Sequence, residues 1–178
     1  MVAVREPILV SIGANQFLNT DQAPLSTCQV ALEKMREAGI RVLRTSSWYL
    51  SSPVPTDCQP WYINAVLSID SDLQPNDLLG KLLAIESQLG RSPFCRSGPR
   101  TLDLDLLAYG NKVCRDQGQP MLTLPHPRMD ERNFVMHPLS EILPEWLHPV
   151  LGGRARDLAS FTRQGQNLVR LSSQALEI

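Results

Sequence analysis

Thr101 to Tyr109, TLDLDLLAY, is the stretch on which the fold of this 178-residue chain turns. Its residues alternate, so on a strand Leu102, Leu104 and Leu106 face one way while Asp103 and Asp105 face the other. A Gly110-Asn111 turn closes it. Residues two apart on a strand have Cα atoms ~6.6 Å apart at ~3.3 Å rise per residue, near enough for two carboxylates to share divalent cations. Taken alone, D-x-D also describes a solvent-facing strand with two ordinary acids, which is the commoner case.

Outward from this strand the chain alternates between strand and helix patterns. Upstream, Leu78, Leu82, Ile85 and Leu89 form one stripe of a helix over Pro75 to Leu89, with Pro75 near its start and Gly90 ending it. Before that helix, Tyr62 to Ile69 reads as a strand, and Ser51 to Pro60 as a proline-rich loop that cannot sit inside a sheet. Ile40 to Tyr49 reads as one further strand. Leu25, Cys28, Leu32 and Met35 mark a helix face within Asp21 to Ala38, stopped by Gly39. Pro7 to Ser11 reads as a buried strand ending in a loop at Gly13-Ala14-Asn15.

The order strand, helix, strand, strand, helix, strand fits an α+β sandwich with helices packed on a mainly antiparallel sheet. Beyond residue 120 the pattern is irregular and is expected to wrap the core. After Gly153, Arg154, Arg156, Arg163 and Arg170 are spread among polar residues and are expected to be solvated. With no repeat and no long linker, residues 1–178 are expected to form a single domain, burying roughly 70% of the unfolded chain's surface.

Composition excludes several function classes. Seventeen basic against eighteen acidic residues give a net charge of −1, so neither nucleic acid nor a membrane surface would be held by bulk charge. Any bound anion needs a local cluster. Among the basic residues are 14 arginines and only Lys34, Lys81 and Lys112 as lysines, a bias whose commoner cause is genome composition and whose functional reading is bidentate anion recognition. The four cysteines lack a C-x-x-C pair, and the three histidines lack metal-ligand spacing. Glu6 and Pro7 fall where a signal peptide would need its apolar core. These features predict a reduced, cytoplasmic protein.

Position gives the arginines meaning. Arg91, Arg96 and Arg100 occur within ten residues, with no acid among them, in a loop leading into Asp103 and Asp105. Guanidinium groups grip phosphate oxygens, and carboxylates hold the Mg²⁺ ions that neutralise them, so the juxtaposition suits a polyphosphate. Glu86 is either a partly exposed helix acid or a residue turned inward to support the metal or an arginine. There is no G-x-x-x-x-G-K-[ST] phosphate loop and no protein-kinase signature set. Tyr62 and Asn64 project to one side of a strand, and Pro125 to Phe134 combines His126, Arg128 and Arg132 with an aromatic. A planar heteroaromatic ligand needs flat stacking partners and an amide for its edge, although core packing accounts for Tyr62 and Phe134 equally well.

SIGAN at Ser11 to Asn15, QPWYINAV at Gln59 to Val66, GPRTLDLDLLAYGN at Gly98 to Asn111 and LPHPRMDERNFVMHPLSEILP at Leu124 to Pro144, in that order, resemble the 6-hydroxymethyl-7,8-dihydropterin pyrophosphokinases of folate biosynthesis. The resemblance implies a ferredoxin-like α+β fold and transfer of the β,γ-pyrophosphate of ATP to the pterin hydroxyl, releasing AMP. It implies that Asp103 and Asp105 bind two Mg²⁺ ions, and that Arg91, Arg100, His126 and Arg132, with Glu86 and Arg96 beside them, serve the nucleotide. Tyr62 and Phe134 would sandwich the pterin and Asn64 would read its edge, helped by backbone groups near Ser51 and Val54. Small-molecule substrates and a monomer are expected, with no nucleic-acid or membrane partner.

Four positions depart from the family's pattern. Pro93 and Ser97 stand where an arginine and a tryptophan are usual, Leu83 where a glutamine is usual, and Pro55 where a glycine is usual. They motivate an alternative, a catalytically weakened pterin- or nucleotide-binding module on the same fold.

Overall fold

The computed structural model describes residues 6–20, 22–53, 59–91, 99–118, 120–162 and 166–172. β1 (Ile8–Ala14) is followed by α1 (Pro24–Glu37), β2 (Arg41–Thr45), β3 (Tyr49–Ser51), β4 (Tyr62–Asp70), α2 (Pro75–Gln88) and β5 (Asp103–Tyr109). A small hairpin, β6 (Cys114–Asp116) and β7 (Leu122–Leu124), leads to α3 (Asn133–Ile142), α4 (Ala155–Ala159) and β8 (Leu168–Arg170). Both long helices begin with proline in the first turn, where its missing N–H costs nothing. Gly39 and Gly90 follow their ends at φ of 80° and 82°, a conformation that favours glycine.

The main sheet runs β5-β1-β4-β3-β8, with β2 also paired to β4, and its neighbours are antiparallel. Counting β2 and β3 as halves of one strand gives βαββαβ, the ferredoxin-like order expected from the sequence. The halves are separate because that strand carries extra residues. Its register against β4 shifts between Val42 and Arg44, and again between Thr45↔Leu67 and Tyr49↔Asn64. The single strand expected over Ile40 to Tyr49 is thus corrected to two. Between them Ser46 keeps the ladder closed, donating its N–H to the Val66 carbonyl (3.0 Å) and accepting the Val66 N–H on Oγ (3.0 Å).

The alternation along each strand sorts the sheet into two faces. On one, Ile8, Val10, Ile12, Ala65, Leu67, Leu104 and Leu106 are buried together with Cys28, Met35, Leu78, Leu82 and Ile85 of α1 and α2. Along α1 the buried positions are Thr27, Cys28, Ala31 and Met35, with Leu25 and Leu32 only partly covered, a rotation of the expected stripe. The other face changes character along its length. At one end Leu9, Val66 and Leu107 pack against Val135, Met136 and Leu139 of α3. At the other end the same face carries Ser11, Gly13, Asn64, Asp103 and Asp105. A helix covers the apolar end; at the polar end Ser11, Gly13 and Asn64 are also buried, while Asp103 and Asp105 stay partly exposed.

Three further expectations are revised. Gly13 and Ala14 belong to β1 itself, not to a loop after it. The region after residue 120 contains α3, whose interior Pro138 breaks the usual helical signature in the sequence. The segment after Gly153 is not simply solvated surface, because β8 joins the sheet beside β3. No helix among the described residues is long and apolar enough to cross a membrane.

Candidate active site

β5 is an edge strand, and the way its outer edge is satisfied builds a cluster of charged side chains. The Leu104 N–H donates outward to Glu86 Oε1 of α2 at 2.7 Å, and the Leu107 carbonyl accepts from the His126 N–H at 2.8 Å. Glu86 is only 1% exposed, and its buried Oε2 has no hydrogen-bond partner among the described residues. It is therefore the inward-turned residue, not the exposed helix acid. Burial pushes its carboxyl up to about 7, against the opposing pull of the Leu104 N–H and the Arg91 guanidinium.

Arg91, just beyond α2, donates to Glu86 Oε1 and lies 3.1 Å from Asp103 Oδ1. Arg100 donates to the same Asp103 oxygen. Arg100 is held in turn by Asn15, whose side-chain oxygen accepts the Arg100 N–H at 2.6 Å and whose own N–H donates to the Arg100 carbonyl at 2.9 Å. Asn15 Nδ2 reaches the Pro60 carbonyl at 3.1 Å, so one buried amide ties the end of β1 to the arginine segment and to the approach to β4.

Asp105 has its own cations. Arg132 Nη1 donates to Asp105 Oδ2 at 3.0 Å, and His126 Nε2 stands 3.9 Å from the same oxygen. His126 Nδ1 accepts the Arg128 N–H at 3.2 Å, which in the neutral ring places the proton on Nε2, the side facing Asp105. Burial lowers the His126 pKa, more than Asp105 raises it. The two carboxylates respond oppositely. Asp103 is raised by burial and by the charge of Asp105, beyond what Arg100 and Arg91 recover. Burial also raises Asp105, but His126 and Arg132 outweigh it and the net direction is downward.

Across the sheet, Asp103 opposes Gly13, Gly13 opposes Asn64, and Asn64 opposes Tyr49. Gly13 is the gap in this row: a Cβ there would lie 2.8 Å from Asn64 Oδ1 and 3.2 Å from the Ile63 carbonyl oxygen. Asn64 is fixed by donating from Nδ2 to Ser51 Oγ at 2.9 Å and to the Tyr62 carbonyl at 3.2 Å. Tyr62 shares this face, and Phe134, the second residue of α3, packs on the same side. The Arg132 guanidinium carbon lies 5.5 Å from the Phe134 ring centroid, so one arginine touches both the carboxylate end and the aromatic end.

The structure thus gathers Glu86, Arg91, Arg100, Asp103, Asp105, His126 and Arg132 into one charged group, and sets Ser51, Tyr62, Asn64 and Phe134 along the adjoining part of the same face. Arg96 and Val54, with Pro55, Pro93 and Ser97, lie outside the described residues. Leu83 is exposed on α2. Sequence reasoning missed the organising roles of Gly13 and Asn15. Their signal was the buried run of β1 continuing into Gly-Ala-Asn, a place where a small residue and a capping amide are informative.

Glu86 yields a pH prediction. A carboxyl raised from an ordinary value of 4.5 to about 7 contributes stability that is complete below about 4.5 and is lost as pH rises through about 7. Glu86→Gln keeps an acceptor for the Leu104 N–H but cannot titrate. Urea unfolding at pH 5 and pH 8 should show the wild-type chain losing stability relative to the variant at the higher pH; parallel pH dependences would refute the burial of an ionising Glu86.

These features define a ferredoxin-like α+β sandwich with guanidinium groups gathered around paired aspartates at the polar end of one sheet face. Residues 9–144 match the family described as 7,8-dihydro-6-hydroxymethylpterin-pyrophosphokinase, and the chain belongs to that family. It is 49% identical over 144 residues to a 2-amino-4-hydroxy-6-hydroxymethyldihydropteridine pyrophosphokinase of Synechocystis, covering 81% of this chain and 70% of that protein. The equivalent protein of Haemophilus influenzae is 39% identical over 140 residues, 79% of this chain and 83% of the relative. A folic acid synthesis protein of Pneumocystis carinii is 43% identical over 147 residues, 83% of this chain but 19% of that longer protein. Among solved structures, the HPPK-DHPS protein of Plasmodium falciparum superposes with a TM-score of 0.67 at 13% identity, over 90% of this chain and 45% of that one, a likeness of fold.

Proposed function

We propose that the chain transfers pyrophosphate from ATP to 6-hydroxymethyl-7,8-dihydropterin, with the charged and aromatic parts of that sheet face as its two subsites. The observation that carries this reading is the placement of Asp103 and Asp105 on that face, between the arginines and the Gly13 gap that leads to Asn64. In the reaction the pterin hydroxyl oxygen bonds to the β-phosphorus of ATP, the bond from that phosphorus to the α,β-bridging oxygen breaks, and AMP departs. The hydroxyl proton passes to solvent.

Arg91, Arg100 and Arg132 supply the positive charge that grips the phosphates. Ordering of the two substrates supplies much of the rest, since no covalent intermediate is needed. His126 donates from Nε2 toward the phosphates or the nucleotide. Asn64 reads the pterin edge, with Tyr62 and Phe134 as its flat partners and the backbone near Ser51 as a further donor and acceptor set.

Asp103 and Asp105 suit two Mg²⁺ ions. They are hard oxygen donors on one strand face, partly exposed at 22% and 28%, and Asp103 is raised by burial and its neighbour's charge, so added cations would relieve the pair. Among the described residues no group of three His, Cys, Asp or Glu is placed to hold a metal ion. Bound there, Mg²⁺ would supply charge neutralisation at the phosphates. Residues 1–178 are read as one monomeric cytoplasmic unit acting on small molecules. The −1 net charge supports the part of this reading that leaves out nucleic-acid and membrane partners. Mixing the chain with ATP, Mg²⁺ and the pterin should release AMP in step with loss of the pterin. ATP turnover without pterin dependence would overturn the reading.

A further inference from the structure

We infer that the strand beyond the family match is a strap that sets the pterin subsite, with Gln166 as its positioning residue. This inference rests on the functional reading above. The family match ends at residue 144, and β8 comes from outside it. β8 pairs with β3 at Ser51↔Leu168, Leu50↔Val169 and Tyr49↔Arg170. The pairing continues past both ends: the Ser52 N–H donates to the Asn167 carbonyl at 3.1 Å, and the Leu171 N–H to the Trp48 carbonyl at 2.8 Å. The Asn167 N–H also donates to Ser52 Oγ at 3.1 Å.

Gln166 makes two contacts in different directions. Its side-chain Nε2 donates to the Ser52 carbonyl at 2.7 Å, and its backbone carbonyl accepts from Asn133 Nδ2 at 2.8 Å. Ser52 follows Ser51, which holds Asn64. Asn133 is buried, at 6% exposure, and precedes Phe134. One residue therefore joins the backbone beside the edge-reading amide to the start of the helix that carries the stacking ring. Among the described residues Asn133 Oδ1 is buried without a hydrogen-bond partner, and its amide is held from the Nδ2 end by Gln166.

The strap has a second anchor away from the pterin residues. Arg170 Nε donates to Ser47 Oγ at 2.9 Å and Nη2 to Glu141 Oε1 at 3.3 Å, while Glu141 also accepts from the Ser47 N–H and hydroxyl and from the Tyr49 hydroxyl. That anchor and the β3 ladder keep β8 docked when the Gln166 side chain is changed. Gln166 thus affects where Ser52 sits more than whether the strap is present.

The test compares Gln166→Ala, Gln166→Glu and Arg170→Ala with the wild-type chain in pterin KM, ATP KM, kcat and melting temperature. Loss of one hydrogen bond to a positioned carbonyl predicts a pterin KM raised about fivefold in both Gln166 variants. ATP KM should stay within about twofold, and Arg170→Ala should lower the melting temperature without the pterin effect. Unchanged pterin KM in both Gln166 variants of an active enzyme overturns the strap's role alone. So does an equal rise in Arg170→Ala, which would mark general loosening. A wild-type chain that releases no AMP removes the functional reading and the strap's role with it.

Discussion

Asp105→Ala is expected to lower the rate of AMP release by about 10³-fold at saturating ATP and pterin, while leaving the fold intact. The carboxylate is 28% exposed on an edge strand, so its removal opens no core cavity. It also removes the charge that helps raise Asp103, which relieves the folded state. Arg132 keeps its place over Phe134 and Arg100 keeps Asp103. The loss should therefore appear in kcat and in the Mg²⁺ concentration needed for half-maximal rate, with pterin binding nearly unchanged. Steady-state rates across a Mg²⁺ series, alongside thermal unfolding, check both halves. A variant within tenfold of wild type at every Mg²⁺ concentration would remove Asp105 from the proposed metal site. An unfolded variant would show that the carboxylate serves stability instead.

Gly13→Ala should strike the other subsite. The added methyl group would meet Asn64 Oδ1 at 2.8 Å and the Ile63 carbonyl at 3.2 Å, and backbone cannot yield as a side-chain tip can. Asn64 must therefore turn, giving up its bond to Ser51 Oγ and the orientation that presents its amide along the sheet face. Misplacing one buried hydrogen-bonding edge costs ~1–3 kcal/mol, or about 5- to 150-fold in pterin affinity. ATP should bind within about threefold, because Arg91 is held by Glu86 and Asp103 and Arg132 by Asp105, and the added methyl group meets none of these. Equilibrium binding of each substrate to the variant separates these effects. Equal weakening of both, or of neither, would mean that the gap at Gly13 does not govern Asn64.

The alternating TLDLDLL run, the helical stripe ending at Leu89 and the strand over Tyr62 to Ile69 were legible because each element repeats its apolar residues at its own period. The break between β2 and β3 was not, because a bulge is one extra residue and leaves β-branched and polar residues in an unremarkable order. α3 was hidden by Pro138 within it. Arg91, Arg100, Asp103 and Asp105 were legible as a cluster because they lie close together in sequence. Arg132, more than twenty residues further on, was tied to them only through the family resemblance.

What the sequence by itself determined is the set of faces: period-two alternation places Asp103, Asp105 and Asn64 opposite the leucines, whatever packs on them. What only the tertiary structure decided is what packs on each part of the polar-bearing face. α3 packs on Leu9, Val66 and Leu107, Asp103 and Asp105 stay partly exposed, and β8 closes the sheet beside Ser51. Those outcomes depend on contacts between residues far apart in the chain, such as Asn15 with Arg100, Gln166 with Ser52 and Glu86 with Leu104. No local pattern encodes them, because each satisfies a polar group with a partner distant in sequence.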